Sequence, residues 1–207
     1  MGNETSFTIH HKQVSIVQKT NYPWDGNVAI EVSSEVEDPF TLAFRIPGWV
    51  DRGTVVKVNG EVIDHVPFIK NGYICLERIW NANDFVELLF PMKIERIQAN
   101  PLVRHNIGKV ALRRGPLVYC LEEIDNGANL PGITLPRQSE LNAVYEKNLL
   151  GGVVVITGDA IRMDESMWEN TLYRPVEDNT QSISIKAIPY YAWCNREPGE
   201  MLVWINE

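Results

Sequence analysis

Apolar and polar residues alternate with a period of two along much of this chain. Val28, Ile30 and Val32 alternate with Ala29, Glu31 and Ser33, and Phe40, Leu42, Phe44 and Ile46 with Thr41, Ala43 and Arg45. Successive side chains of a strand point to opposite faces, so this pattern predicts strands with one face on a core. Val56 and Val58 lead into Asn59-Gly60, and Glu61-Val62 follow. Asn-Gly suits a type I′ turn, whose central residues both need positive φ, and so predicts a tight hairpin. Ile74, Leu76 and Trp80 share one face of the next run; Val86, Leu88 and Phe90 share one face of another. The intervening Asn81-Ala82-Asn83-Asp84 has the composition of a turn.

Pro91 closes this block, Ile94 to Ala99 reads as one more extended piece, and Asn100-Pro101 as a turn. The pattern then restarts. Val110 and Leu112 precede Gly115-Pro116, and Leu117–Leu121, Leu141–Tyr145, Val153–Ile156, Ile183–Ile188 and Met201–Ile205 are further strand candidates. Asp125 to Arg137 reads as a loop, and Trp168 to Asn179 is polar and irregular. No long segment keeps a helical period. Short strands spaced by turn signals predict an all-β chain of two consecutive antiparallel β-sandwich domains, over 1–99 and 100–207. A single large sandwich is the alternative.

Composition changes this picture little. Of 207 residues, 44% are hydrophobic and 22% charged, ordinary for a globular protein. The net charge of −8 argues against nucleic acid and anionic membrane as partners, since both need a basic patch. No apolar run is long enough for a transmembrane helix, and Met1 to Thr8 lack the apolar core of a secretory signal. Cys75, Cys120 and Cys194 are far apart and odd in number, which supports neither a disulfide framework nor a zinc site. Cys75 and Cys120 lie in apolar runs and read as small buried hydrophobes.

Candidate chemistry is sparse. His10, His11, His65 and His105 have no Cys, Asp or Glu at metal-ligand spacing and read as surface histidines, the adjacent His10 and His11 pointing to opposite sides of an extended chain. A glycosidase needs two carboxyl groups facing each other across a substrate. Asp25, Glu77, Glu122, Glu123, Asp125, Asp164 and Glu165 are candidates by type, and sequence does not say which face which. Among six tryptophans, Trp80 and Trp204 follow strand alternation and read as core. Trp24, Trp49 and Trp193 sit at turns, where an aromatic ring can stack on a sugar, anchor an interface or plug a corner.

Several motifs then become recognisable in order. They are Asn21-Tyr22-Pro23-Trp24-Asp25-Gly26, Phe44-Arg45-Ile46-Pro47-Gly48-Trp49, Arg114-Gly115-Pro116-Leu117-Val118-Tyr119 and Ile188-Pro189-Tyr190-Tyr191-Ala192-Trp193. Over nearly its whole length the chain resembles the C-terminal region of glycoside hydrolase family 127, the β-L-arabinofuranosidases. The resemblance implies a parent with an (α/α)6 barrel followed by two β-sandwich domains. It implies that the chemistry lies in that barrel, on a cysteine nucleophile in a zinc-bound cluster containing a Cys-x-Cys pair. This chain has no such pair, so the resemblance carries over no catalytic residue and no metal ligand, and no cofactor is expected here. The implied partner is the catalytic barrel, with a second copy of the chain and a glycan as further candidates. Three roles follow: an accessory module packed on the barrel, a sugar-binding module using Trp24, Trp49 or Trp193, and a free-standing glycosidase with an unrecognised carboxylate pair.

Overall fold

A computed structural model of the chain describes residues 2–50, 53–166, 168, 171–177 and 179–207. The fold is all-β, and two units, 1–92 and 93–207, each hold their own core.

Among the described residues the first unit has nine strands: β1 (Asn3–Ile9), β2 (Lys12–Thr20), β3 (Asn27–Ser34), β4 (Phe40–Arg45), β5 (Val55–Val58), β6 (Glu61–Val62), β7 (Ile69–Lys70), β8 (Tyr73–Arg78) and β9 (Asp84–Leu89). Six form one sheet in the order β1-β2-β3-β9-β5-β6, and three form a second in the order β4-β8-β7. Ile30, Val32 and Val86 from the larger sheet meet Phe44, Ile74 and Leu76 from the smaller, with Trp80 among them. This is a sandwich, each strand giving its apolar alternation to the shared core. Asn59 and Gly60, at φ 54° and 85°, make the expected hairpin turn between β5 and β6. The buried Asp84 ties it to the next turn: its carboxylate accepts Asn59 Nδ2–H at 2.8 Å and the Asn81 N–H at 2.9 Å.

Gly26 shows why the turn after Trp24 must end in glycine. A Cβ there would lie 1.8 Å from the Phe90 carbonyl oxygen, and the Gly26 carbonyl accepts the Phe90 N–H at 2.9 Å. Gly26→Ala therefore has to push β3 away from the end of β9. Thermal unfolding should show a loss of about 2 kcal/mol, the scale of an overpacked core; an unchanged Tm would refute the close approach.

Three features of this unit differ from the sequence expectation. The β1–β2 hairpin had no signal, because β1 is exposed on both faces and shows no alternation to read. His10 and His11 do not lie on an extended chain but form the turn of that hairpin, at φ 50° and 66°. Cys75 is half-buried and not in the core, because Ile74 and Leu76 take the inward positions of β8.

The second unit has β10 (Ile94–Gln98), β11 (Lys109–Arg114), β12 (Leu117–Glu122), a single turn α1 (Glu123–Asn126), β13 (Ile133–Thr134), β14 (Leu141–Glu146), β15 (Val153–Met163), β16 (Thr180–Pro189), β17 (Met201–Leu202) and β18 (Ile205–Asn206). The expected break at Asn100 falls inside this unit. β10 pairs with β11 from Ile94↔Arg114 to Gln98↔Val110, so the backbone ladder holds 94–98 here. Pairing runs β11-β18-β13-β15-β16-β12 and returns to β11, so this sheet closes on itself. Among the described residues only β13–β18 is parallel. Leu112, Tyr119, Leu121, Ile133, Ile156 and Ile185 fill the interior. Trp204, expected in the core, is half-buried between β17 and β18 because the Ile205 side chain takes the inward position.

Candidate functional site

In the first unit, the turn after β2 is fixed by its own polar groups. The Tyr22 N–H donates to Thr20 Oγ1 at 2.9 Å, the Trp24 N–H to the Asn21 carbonyl at 2.9 Å, and the Asn27 N–H to Asp25 Oδ1 at 2.9 Å. The Tyr22–Pro23 peptide is cis. Trp24 is left 40% exposed. Trp49 is not open in the same way. Its indole N–H donates to Tyr22 Oη at 3.0 Å, its ring stacks on Tyr22 with centroids 6.3 Å apart, and Phe90 meets it edge-on at 6.2 Å. Trp49 thus locks the Pro47–Val50 turn onto the Tyr22 turn.

In the second unit, Trp193 is 38% exposed and Tyr190 45% exposed, and their rings stack at 6.0 Å with planes 21° apart. This pair lies on the segment that follows β16, and Arg196 fastens that segment to the body of the unit. The guanidinium bonds Glu122 through both Nε and Nη2, with Nε–Oε2 at 3.1 Å, and reaches Asp125 Oδ2 at 2.5 Å. The Cys194 N–H donates to the other Glu122 oxygen at 3.1 Å. Lys186 pairs with Asp125 at 3.0 Å and with Glu146 at 3.6 Å. Glu123 accepts the Glu200 N–H at 2.8 Å, and Glu200 accepts the Leu130 N–H at 2.8 Å. Burial opposes ionisation of Asp125, but the hydrogen bonds and charges of Arg196 and Lys186 outweigh it and hold its carboxyl below the usual range. The Asp125 bond in turn raises Lys186 and Arg196.

Glu122 and Asp125 are thus the candidate carboxylates that the fold brings together. A glycosidase needs one carboxyl kept protonated as the acid. Asp125 is shifted the opposite way, and both groups are occupied by Arg196. Their arrangement anchors a chain segment. The other candidates stand apart. Asp25 caps its own turn, Glu77 is exposed on β8, Glu123 holds the Glu200 backbone, Asp164 accepts the Ser166 N–H at 2.9 Å, and Glu165 bonds Asn129.

The donors of the described residues do not fit zinc. Among the described residues no three His, Cys, Asp or Glu side chains gather as a metal site. Cys120 is buried in β12, and burial pushes its thiol up to about 12, far from the thiolate a metal needs. Cys194 is exposed, and Cys75 belongs to the other unit. His10, His11 and His105 are exposed and His65 half-buried.

Sequence reasoning missed Arg196, Lys186 and Tyr190 as parts of this arrangement. The only sequence signal was local: Glu122 and Asp125 stand three apart at the start of α1, and Arg196 lies within the recognisable terminal motif.

The sequence profile of the glycoside hydrolase family 127 C-terminal domain matches residues 94–206, and that of the β-L-arabinofuranosidase GH127 middle domain matches residues 3–92. The chain belongs to glycoside hydrolase family 127. The two matched family-127 domains coincide with the two compact units. A non-reducing end β-L-arabinofuranosidase of Bifidobacterium longum subsp. longum is 32% identical over 204 residues, covering 92% of this chain and 30% of that protein. The crystal structure of a GH127 β-L-arabinofuranosidase from Geobacillus stearothermophilus T6 superposes with a TM-score of 0.94 at 56% identity, over 99% of this chain and 32% of that one. A second solved GH127 β-arabinofuranosidase gives 0.84 at 31% identity, over 99% and 33%. This family-127 chain spans about a third of the length of these relatives.

Proposed function

We propose that these two units are a non-catalytic accessory region of a family-127 β-L-arabinofuranosidase, packed against the catalytic barrel of the whole enzyme. The observation that carries this reading is coverage. A middle and a C-terminal domain together fill the chain, while its relatives are about three times as long. The local chemistry agrees: Glu122 and Asp125 bind Arg196 and so hold a segment in place. On this reading the 207-residue chain releases no sugar from an aryl β-L-arabinofuranoside. It co-elutes in gel filtration with the remaining part of the Geobacillus relative when the two are co-expressed. Release at a steady turnover rate, insensitive to zinc chelation, would refute it.

The stacked, half-exposed Tyr190 and Trp193 favour a second reading, a sugar platform. Isothermal titration with arabinose-containing oligosaccharides separates the two. A sugar platform gives saturable heat that Trp193→Ala removes while changing stability by less than about 1 kcal/mol, as expected for a half-exposed ring. An accessory region gives no heat. Trp49→Ala is the poorer probe, because that ring is already held by Tyr22 and Phe90.

A further inference from the structure

Among the described residues β4 is an edge strand, hydrogen-bonded to β8 alone. The Ile46 N–H donates to the Gly72 carbonyl, which continues the β4–β8 ladder and sets its parity. In an antiparallel pair the bonded residues alternate, so Phe40, Leu42 and Phe44 turn their backbone groups toward β8, and Thr41, Ala43 and Arg45 turn theirs outward. Among the described residues, no backbone hydrogen bond beyond the strand ladders takes those outward groups.

The sheet opposite has six strands to this sheet's three. Register places Asn3, Thr5 and Phe7 of β1 beside Gln18, Ile16 and Val14 of β2, on the face that carries Val14 and Ile16 toward the core. β1 gains no cover from this unit: all its residues but Ile9 are exposed, Phe7 included. Between β2 and the outer side of β4 runs a largely apolar groove of about 270 Å³, bordered by Gln18, Val28, Ala43, Arg45, Pro47 and Phe90.

An unpaired strand edge, an apolar groove beside it and an exposed β1 in the opposite sheet are the features an added strand uses. We infer that the smaller sheet of this sandwich is extended by a strand added along the outer edge of β4, supplied by the part of a family-127 protein that lies outside this chain. The inference rests on the accessory reading and assigns one contact within it. The recognising chemistry is a polypeptide's own. Alternating backbone donors and acceptors match Thr41, Ala43 and Arg45, and every second side chain of the incoming strand drops onto Val28 and Phe90. A glycan offers no such repeat. The β1 strand of a second copy would first have to leave β2, with which it makes a seven-residue ladder. The relatives carry about twice as much further polypeptide as this chain contains, with no such cost.

The test is amide hydrogen exchange of the 207-residue chain, resolved by NMR, titrated with overlapping synthetic peptides that tile the rest of the Geobacillus relative. One peptide should slow exchange at Thr41, Ala43 and Arg45 about tenfold when present at ten times its Kd. Ala43→Pro removes one outward N–H and leaves the β8 ladder intact, because proline is tolerated where the N–H faces away from the sheet. That variant should weaken the peptide at least about tenfold. Gln18→Trp, which narrows the groove from the other wall, should do the same with every backbone donor kept. No peptide slowing these amides, slowing confined to other strands, or unchanged affinity in both variants would overturn the inference. So would slowing that rises with protein concentration alone, which would make a second copy the donor. Co-elution with the rest of the relative that persists while every peptide fails sinks the added strand and leaves the accessory reading standing; loss of co-elution sinks that reading too.

Discussion

Arg196→Met should lower the unfolding free energy by about 3–5 kcal/mol, the usual cost of removing one partner from a buried ion pair. Glu122 is only 5% exposed, and with the guanidinium gone its carboxylate keeps, among the described residues, the Cys194 N–H as a donor. Asp125 keeps Lys186. Methionine matches much of the arginine stem, so lost packing contributes little and the effect is electrostatic. Lysine in place of Arg196 should rescue only partly, since a single ammonium cannot repeat the planar fork that spans both carboxylates. The pH profile gives a second readout. The folded pKa of Asp125 lies below its unfolded value of about 3.9. Its stabilisation is therefore complete above that value and is lost as pH falls through the lower, folded one. Lys186 behaves in the mirror sense: its raised folded pKa gives stability below its unfolded value, lost as pH rises through the folded one. Urea unfolding of the wild type should thus hold a plateau from neutral pH down to the ordinary carboxylate range. Arg196→Met should lie lower on that plateau and show a smaller acid step. A loss under about 1 kcal/mol, with the acid step unchanged, would mean the segment carrying Tyr190 and Trp193 is held by something else.

That network also marks the limit of what the sequence discloses. Strands were legible wherever one face is buried and the other wet, as in Ile30–Val32, Ile74–Leu76 and Val86–Leu88. The Asn59-Gly60 hairpin was legible because its turn chemistry is local. β1 was not, since a strand exposed on both faces leaves no period to detect. The unit boundary was misplaced because Ile94–Gln98 is half-buried almost throughout and only its pairing with β11 shows where it belongs. The closure of the second unit depends on β13 meeting β18 across some seventy residues, which no local pattern encodes. The same holds for the candidate site. Seven carboxylates looked alike in the sequence, and what sets Glu122 and Asp125 apart is an arginine more than seventy positions away. Trp24, Trp49 and Trp193 all lie at turns, but only neighbours from other elements distinguish the locked Trp49 from the half-exposed Trp193.

Trp80→Ala should cost the first unit about 3–5 kcal/mol, the range for truncating a large buried aromatic. Trp80 has no solvent exposure, and it packs among the strands of both sheets. Its indole N–H donates to the Phe40 carbonyl at 3.0 Å, its ring meets Phe40 with centroids 6.5 Å apart, and the Arg78 guanidinium lies 5.2 Å from the ring centre. Alanine therefore removes core volume and the partner of a carbonyl at the first residue of β4 together. Trp80→Phe separates the two effects. It keeps most of the apolar area but loses the N–H, so it should cost about 1 kcal/mol for the hydrogen bond plus the packing of the missing ring. Because Phe40 begins β4, both variants should also speed amide exchange at Leu42 and Phe44, whose ladder to β8 starts there. Denaturant unfolding read by near-ultraviolet signal, beside exchange at those two amides, checks both expectations. A loss below about 2 kcal/mol in Trp80→Ala would mean that the sheets close over the gap. A normal exchange rate at Leu42 and Phe44 would mean that the indole hydrogen bond is not what fixes the start of the strand. In that case the outer edge of β4 keeps its geometry without Trp80, and the tryptophan serves the core alone.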